Sequence, residues 1–309
     1  MSTVFDPKQL NFPILLDGGL SNQLEEQGID LNHKLWTARL LDENPNAIIE
    51  AHLSYLKAGA RILITSSYQS SVEGFVNAGY SETRALELIL LTSELANEGI
   101  KRFRSEFGDS ENVWIAASVG PYGAFLADGS EYNGNYSISQ VDLIAFHLSK
   151  LKSLENSSAD FFACETIPSL LETEVLNELL RIMKKPAWVS FACCDGQHIN
   201  DGTPIRRAAQ MLNANNNIFA VGVNCTAPQF VTDLISELKA ACPNKRIVVY
   251  PNSGETYDAT EKKWSGKMNP LICGMQSLEW IRAGADIIGG CCRMGPEHIA
   301  AIGTMLKSL

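Results

Sequence analysis

Ala283-Gly284-Ala285-Asp286-Ile287-Ile288-Gly289-Gly290-Cys291-Cys292 holds one repeat of a fold in miniature. A helix ends on an alanine–glycine corner, a short apolar run follows, and two cysteines stand where that run stops. Glycine suits the left-handed cap that turns a helix end towards the next strand. The same corner recurs as Ala58-Gly59-Ala60-Arg61-Ile62-Leu63 and, more weakly, as Ser158-Ala159-Asp160-Phe161-Phe162. Outward from it, eight short apolar runs predict strands at Ile14–Leu16, Arg61–Thr65, Val113–Ser118, Phe161–Cys164, Ala187–Ala192, Phe219–Val223, Ile247–Tyr250 and Asp286–Gly289. Runs of this kind fit parallel strands covered on both faces.

Amphipathic patterns lie between them. Asn44-Pro45 supplies a cap and a first-turn proline ahead of Ile48, Ile49, Leu53 and Leu56, and Gly59 closes that helix. Gly295-Pro296 opens another, which carries Ile299, Ile302, Met305 and Leu306. Further helices are predicted over 82–104, 140–155, 169–184, 205–213, 228–241 and 273–283. Eight repeats in 309 residues average about 39 residues, above the roughly 30 of a usual unit. The surplus lies in 66–81, 119–138 and 251–270, each following a strand, on the side where barrel active sites form. The predicted fold is α/β, a single (β/α)8 TIM barrel domain over residues 1–309 with long strand-end loops. An open doubly wound sheet gives the same alternation.

The net charge of −10 disfavours a phosphate backbone as partner, so no nucleic acid is expected. MSTVFDPKQLNFP holds no secretory signal, and no run approaches the roughly 18 apolar residues of a membrane span. A cytoplasmic protein without membrane attachment is expected, its eight cysteines reduced. Three of them stand apart. Cys225 ends Gly222-Val223-Asn224-Cys225 after the sixth strand, and Cys291 and Cys292 follow the eighth. Neighbours in a regular strand face opposite ways, an objection that Gly289-Gly290 relieves through glycine's backbone freedom. Thiolates suit zinc, and three protein ligands with one open position is the catalytic arrangement. Cys164, Cys242 and Cys273 read as small buried hydrophobes. Cys193-Cys194 competes as a second adjacent pair after a strand, but lacks the glycines.

Asp17-Gly18-Gly19, Gly222-Val223-Asn224-Cys225 and Gly289-Gly290-Cys291-Cys292 together resemble the homocysteine S-methyltransferase family of zinc-dependent (β/α)8 enzymes. Ser118-Val119-Gly120-Pro121-Tyr122-Gly123-Ala124, Asp128-Gly129-Ser130-Glu131-Tyr132 and Tyr250-Pro251-Asn252-Ser253-Gly254-Glu255 narrow the likeness to the stand-alone type using S-methylmethionine or S-adenosylmethionine. The resemblance spans the chain from about Leu15 onward. It implies one Zn²⁺ on Cys225, Cys291 and Cys292. It implies also that Asp17 contacts homocysteine, that Gly18 and Gly19 offer amides to its carboxylate, and that Glu165 holds its amino group. No cobalamin or folate module and no C-terminal extension is recognised, which suggests a monomer. Where the betaine-using relatives place a tyrosine after strand two, Gln69 stands here, which argues against a betaine site and leaves the fourth zinc ligand open.

Three thiolates on Zn²⁺ leave a formal charge of −1, a poor setting for activating water but a good one for holding a fourth sulfur deprotonated. A free thiol near pKa 8.5 is only a few per cent thiolate at pH 7. A sulfonium donor is cationic and departs as a neutral thioether, so no general acid is required. Tyr122, Glu131, Tyr250 and Glu255 are the candidates for meeting that cation. A zinc hydrolase predicts His or carboxylate ligands and a base. A non-catalytic zinc protein predicts a closed four-ligand set, and a redox role predicts dependence on thiol oxidation.

Overall fold

The computed structural model describes residues 6–31, 35–108, 111–254, 256–258, 263–265 and 269–309. The predicted runs form eight parallel strands: β1 (Ile14–Leu15), β2 (Ile62–Ile64), β3 (Trp114–Val119), β4 (Phe161–Ile167), β5 (Ala187–Phe191), β6 (Ile218–Asn224), β7 (Arg246–Tyr250) and β8 (Ile287–Ile288). Their order is β1-β8-β7-β6-β5-β4-β3-β2. Leu16 bridges Ile62 in parallel, with Arg61 N to Leu15 O at 2.8 Å and Asp17 N to Ile62 O at 3.1 Å. These contacts close the ring, so the fold is the TIM barrel and the open sheet is set aside.

Alternation along each strand builds two cores. Leu16, Ile62, Phe161, Trp188, Val248 and Ile287 fill the barrel interior, while Leu63, Phe162, Val189, Val221, Val249 and Ile288 pack outward beneath the helices. β4 runs three residues beyond its predicted end and so carries Glu165 and Thr166 within the strand. The helix Glu82–Phe107 starts where Ser81 Oγ accepts the Arg84 amide and stops at Gly108, φ 66°. Short helices at Val72–Asn77 and Tyr122–Leu126 occupy segments predicted as loops, and another at Leu20–Glu26 lies where no element was predicted. They are too brief for a periodic apolar signal. Thr256–Asp258 and Lys263–Ser265 pair as an antiparallel hairpin apart from the barrel. Among the described residues no helix is long and apolar enough to cross a membrane.

β6 and β7 approach most closely at Gly222, where an added Cβ would stand 1.8 Å from Val248 O. Gly222→Ala should therefore cost on the order of 3 kcal/mol or more, seen as a lower denaturant midpoint at unchanged m. A midpoint equal to wild type would mean that the strands can separate freely there.

Candidate active site

β6 brings Asn224 and Cys225 to the C-terminal rim of the barrel, and the turn after β8 brings Cys291 and Cys292. The three sulfurs lie within 4.8 Å of one another, with Cys225 to Cys292 at 3.6 Å and Cys291 to Cys292 at 4.0 Å. The adjacent cysteines can both reach the site because the strand ends at Ile288, before the pleat would separate them. The paired glycines help by closeness rather than by unusual dihedrals. A Cβ on Gly289 would stand 2.5 Å from Asp17 O, and one on Gly290 would stand 2.4 Å from Met294 Cβ. The left-handed residues are instead Cys225 (φ 46°), Arg293 (φ 66°) and Thr166 (φ 61°), gathered around the same rim.

The Cys225 and Cys291 sulfurs also approach each other closely, with Cα atoms 5.6 Å apart. Convergence that lets thiolates share a metal also puts two thiols within bonding reach. Cys292 is free, with the Tyr132 hydroxyl hydrogen-bonded to it. Only the reduced form of the pair offers the three-thiolate donor set, and that set fits a zinc ion with one open position.

The sulfurs face a cavity of about 380 Å³ that also meets Glu165, Tyr250, Glu131, Tyr132, Tyr68 and Gln69. A larger hollow of about 830 Å³ lies at the opposite end, among Asn11, Arg61, Trp114 and Lys307, far from this chemistry. Glu165 is buried, held by the hydroxyls of Ser118 and Tyr250, and burial pushes its carboxyl up to about 7. Tyr250 is fixed in turn by Ser190 Oγ at 2.6 Å and Trp188 Nε1 at 3.2 Å. Asn224 ties three strands: its Oδ1 accepts from Thr166 N and Ser190 Oγ, and its Nδ2 reaches Cys291 Sγ at 4.0 Å.

Asp17 is buried beside β2. Its Oδ2 accepts the Ile64 amide at 2.8 Å, its Oδ1 has no partner, and burial raises its pKa well above the usual carboxylate value. Gly18 and Gly19 line the cavity, but the Gly19 amide donates to Met294 O at 3.1 Å. In the absence of substrate that amide is therefore engaged within the fold. Tyr122 is also displaced from its expected place. Its ring packs on Phe125, Tyr136 and Phe146, because the helix Tyr122–Leu126 turns that side outward from the site. Glu255 lies outside the described residues.

Sequence reasoning missed Tyr68, Tyr132 and Lys150. Lys150 is buried on the helix Gln140–Glu155, donates to Tyr68 O at 2.5 Å, and is pushed down to about 7 by burial. Its sequence signal is that of any lysine on a solvated helix face. Tyr132 sits in the same loop motif as Glu131, which was the available clue.

The family model described as homocysteine S-methyltransferase matches residues 14–306. The chain is 46% identical over 300 residues to homocysteine S-methyltransferase YbgG of Bacillus subtilis (strain 168), covering 96% of this chain and 95% of that one. Its structure resembles the metallated form of the homocysteine methyltransferase MmuM from Escherichia coli, with TM-score 0.84, 39% identity and coverage of 94% and 96%. The oxidized form of MmuM matches at TM-score 0.85 and 39% identity, covering 94% and 95%.

Proposed function

Because the chain belongs to the homocysteine S-methyltransferase family, we propose a zinc-dependent, sulfonium-specific version of that family's reaction for it. The protein transfers a methyl group to homocysteine and gives methionine. The observation that carries the finer reading is the convergence of Cys225, Cys291 and Cys292 within 4.8 Å, beside buried Glu165.

In this reading Cys225, Cys291 and Cys292 would hold a zinc ion, which would supply a Lewis acid that lowers the pKa of a thiol brought to its open position. Glu165, pre-oriented by Ser118 and Tyr250, takes the homocysteine ammonium. Gly18 and the cavity wall beside it take the carboxylate end, and Asp17 supports that end from below. Glu131 and Tyr250 face the donor's positive charge. The sulfur forms a bond to the methyl carbon as the donor sulfur takes back the pair from the breaking bond and leaves as a thioether. Most of the rate comes from holding the two reactants in line.

A cavity of about 380 Å³ is at the small end of the ligand-pocket range, about 300–1,000 Å³, and must admit two amino acids together. S-Methylmethionine is the donor that fits best, because an adenosyl group would have to project from the mouth. The protein acts as a single-domain cytoplasmic monomer in this reading, without cobalamin or folate. Among the described residues the thiol trio is the grouping suited to a metal, which weighs against a hydrolase with nitrogen or carboxylate ligands and against a closed four-ligand site.

The test is a donor panel on reduced, zinc-loaded protein. Methionine should form with S-methylmethionine and not with betaine, and a chelator should stop it. Equal turnover of betaine would remove the donor argument; full activity in chelator would remove the metal.

A further inference from the structure

The long loop after β3 is tied near both of its ends to one buried carboxylate. Glu172, fully buried on the helix Leu170–Leu180, accepts the Tyr122 amide at 2.7 Å through Oε1 and the Tyr136 hydroxyl through Oε2. His147 Nε2, on the neighbouring helix Gln140–Glu155, lies 2.6 Å from Oε1. Tyr122 opens the short helix at one end of the loop, and Tyr136 stands near the other. Between them the Ser130–Tyr132 turn presents Glu131 to the cavity.

The two parts are mechanically linked. A Cβ on Gly123, next to Tyr122, would stand 2.4 Å from the Glu131 amide nitrogen and 2.8 Å from its Cα. Gly123, next to the Tyr122 amide that Glu172 holds, thus packs directly on the backbone that carries Glu131. A carboxylate is costly to bury unless its hydrogen bonds are made, and these are made almost entirely to the loop and its supporting helix. Glu172 is not among the residues lining the cavity, so it acts only through the turn.

We propose that Glu172 is a positioning residue for the methyl donor, fixing the Glu131–Tyr132 turn where Glu131 meets the donor's cationic end. This rests on the donor role proposed for Glu131. A displacement of about 1 Å far from the chemistry can cost about a hundredfold in rate, so a partial release should be readable.

The test compares Glu172→Ala with the milder Tyr136→Phe in the full-length, reduced, zinc-loaded protein. The KM for S-methylmethionine should rise about tenfold in Glu172→Ala and about threefold in Tyr136→Phe, with the KM for homocysteine within about twofold and zinc content unchanged. Amide exchange across residues 123–132 should quicken in both variants. Equal rises in both KM values, or unchanged exchange over 123–132, would overturn the proposal. If Glu172→Ala does not fold, Tyr136→Phe alone decides. Absent turnover of S-methylmethionine by the unaltered protein would instead defeat the donor reading, and the exchange result would then show only whether Glu172 holds the turn.

Discussion

Cys291→Ala should yield a folded protein that neither holds zinc nor makes methionine. Cys291 lies close to both Cys225 and Cys292 and within reach of Asn224 Nδ2. If an apparent zinc affinity of about 10–16 kcal/mol is shared among the ligands, losing one removes roughly 3–5 kcal/mol, or about 10²–10⁴ in affinity. Activity should fall further, because the alanine variant also loses the geometry that presents the substrate sulfur to the donor. Metal content after desalting, set beside methionine formation, measures both. Cys194→Ala is the control, since Cys194 is exposed and lies away from the trio. Retention of one zinc per chain by Cys291→Ala would falsify the ligand assignment.

Glu165→Ala should raise the KM for homocysteine by about 10- to 100-fold while sparing zinc, since a hydrogen bond to a charged group is worth about 1.5–3 kcal/mol. Its pH dependence has a definite sign. Burial holds the Glu165 carboxyl near 7 in the free protein, and only the ionised form pairs with an ammonium. The KM for homocysteine should therefore rise as pH falls through about 7 and level off above it. Glu165→Gln should flatten that rise, because the amide does not titrate. An unchanged KM in Glu165→Ala, or a wild-type profile that the glutamine variant reproduces, would remove the assigned role.

The barrel and the cysteine trio were legible because their signals are local. A short apolar run after a glycine corner reads the same way at Ile62 as at Ile287, and cysteines at strand ends stand out against such runs. What was not legible depends on which groups meet after folding. Gly19 reads as a free amide until Met294 O is seen to take it. Lys150 and Glu172 read as solvated helix residues, although both are buried and hold strand-end loops. Tyr122 belongs to the motif that narrows the family resemblance, yet its ring faces away from the cavity while Tyr132, ten residues on, reaches Cys292.

β1 and β8 are two residues long, and β1 meets β2 through the single Leu16–Ile62 bridge. Few hydrogen bonds therefore hold this sector of the wall, whereas β4 and β6 each run for seven residues. Breathing of the barrel should begin at this seam, and slow amide exchange should be lost there first. Any ligand that joins Cys225, just after β6, to Cys291 and Cys292 beyond β8 clasps the β6–β7–β8 side of the rim, next to that seam. A ligand bound there stabilises the folded barrel by mass action, and amide exchange on β7 and β8 should slow when the site is filled.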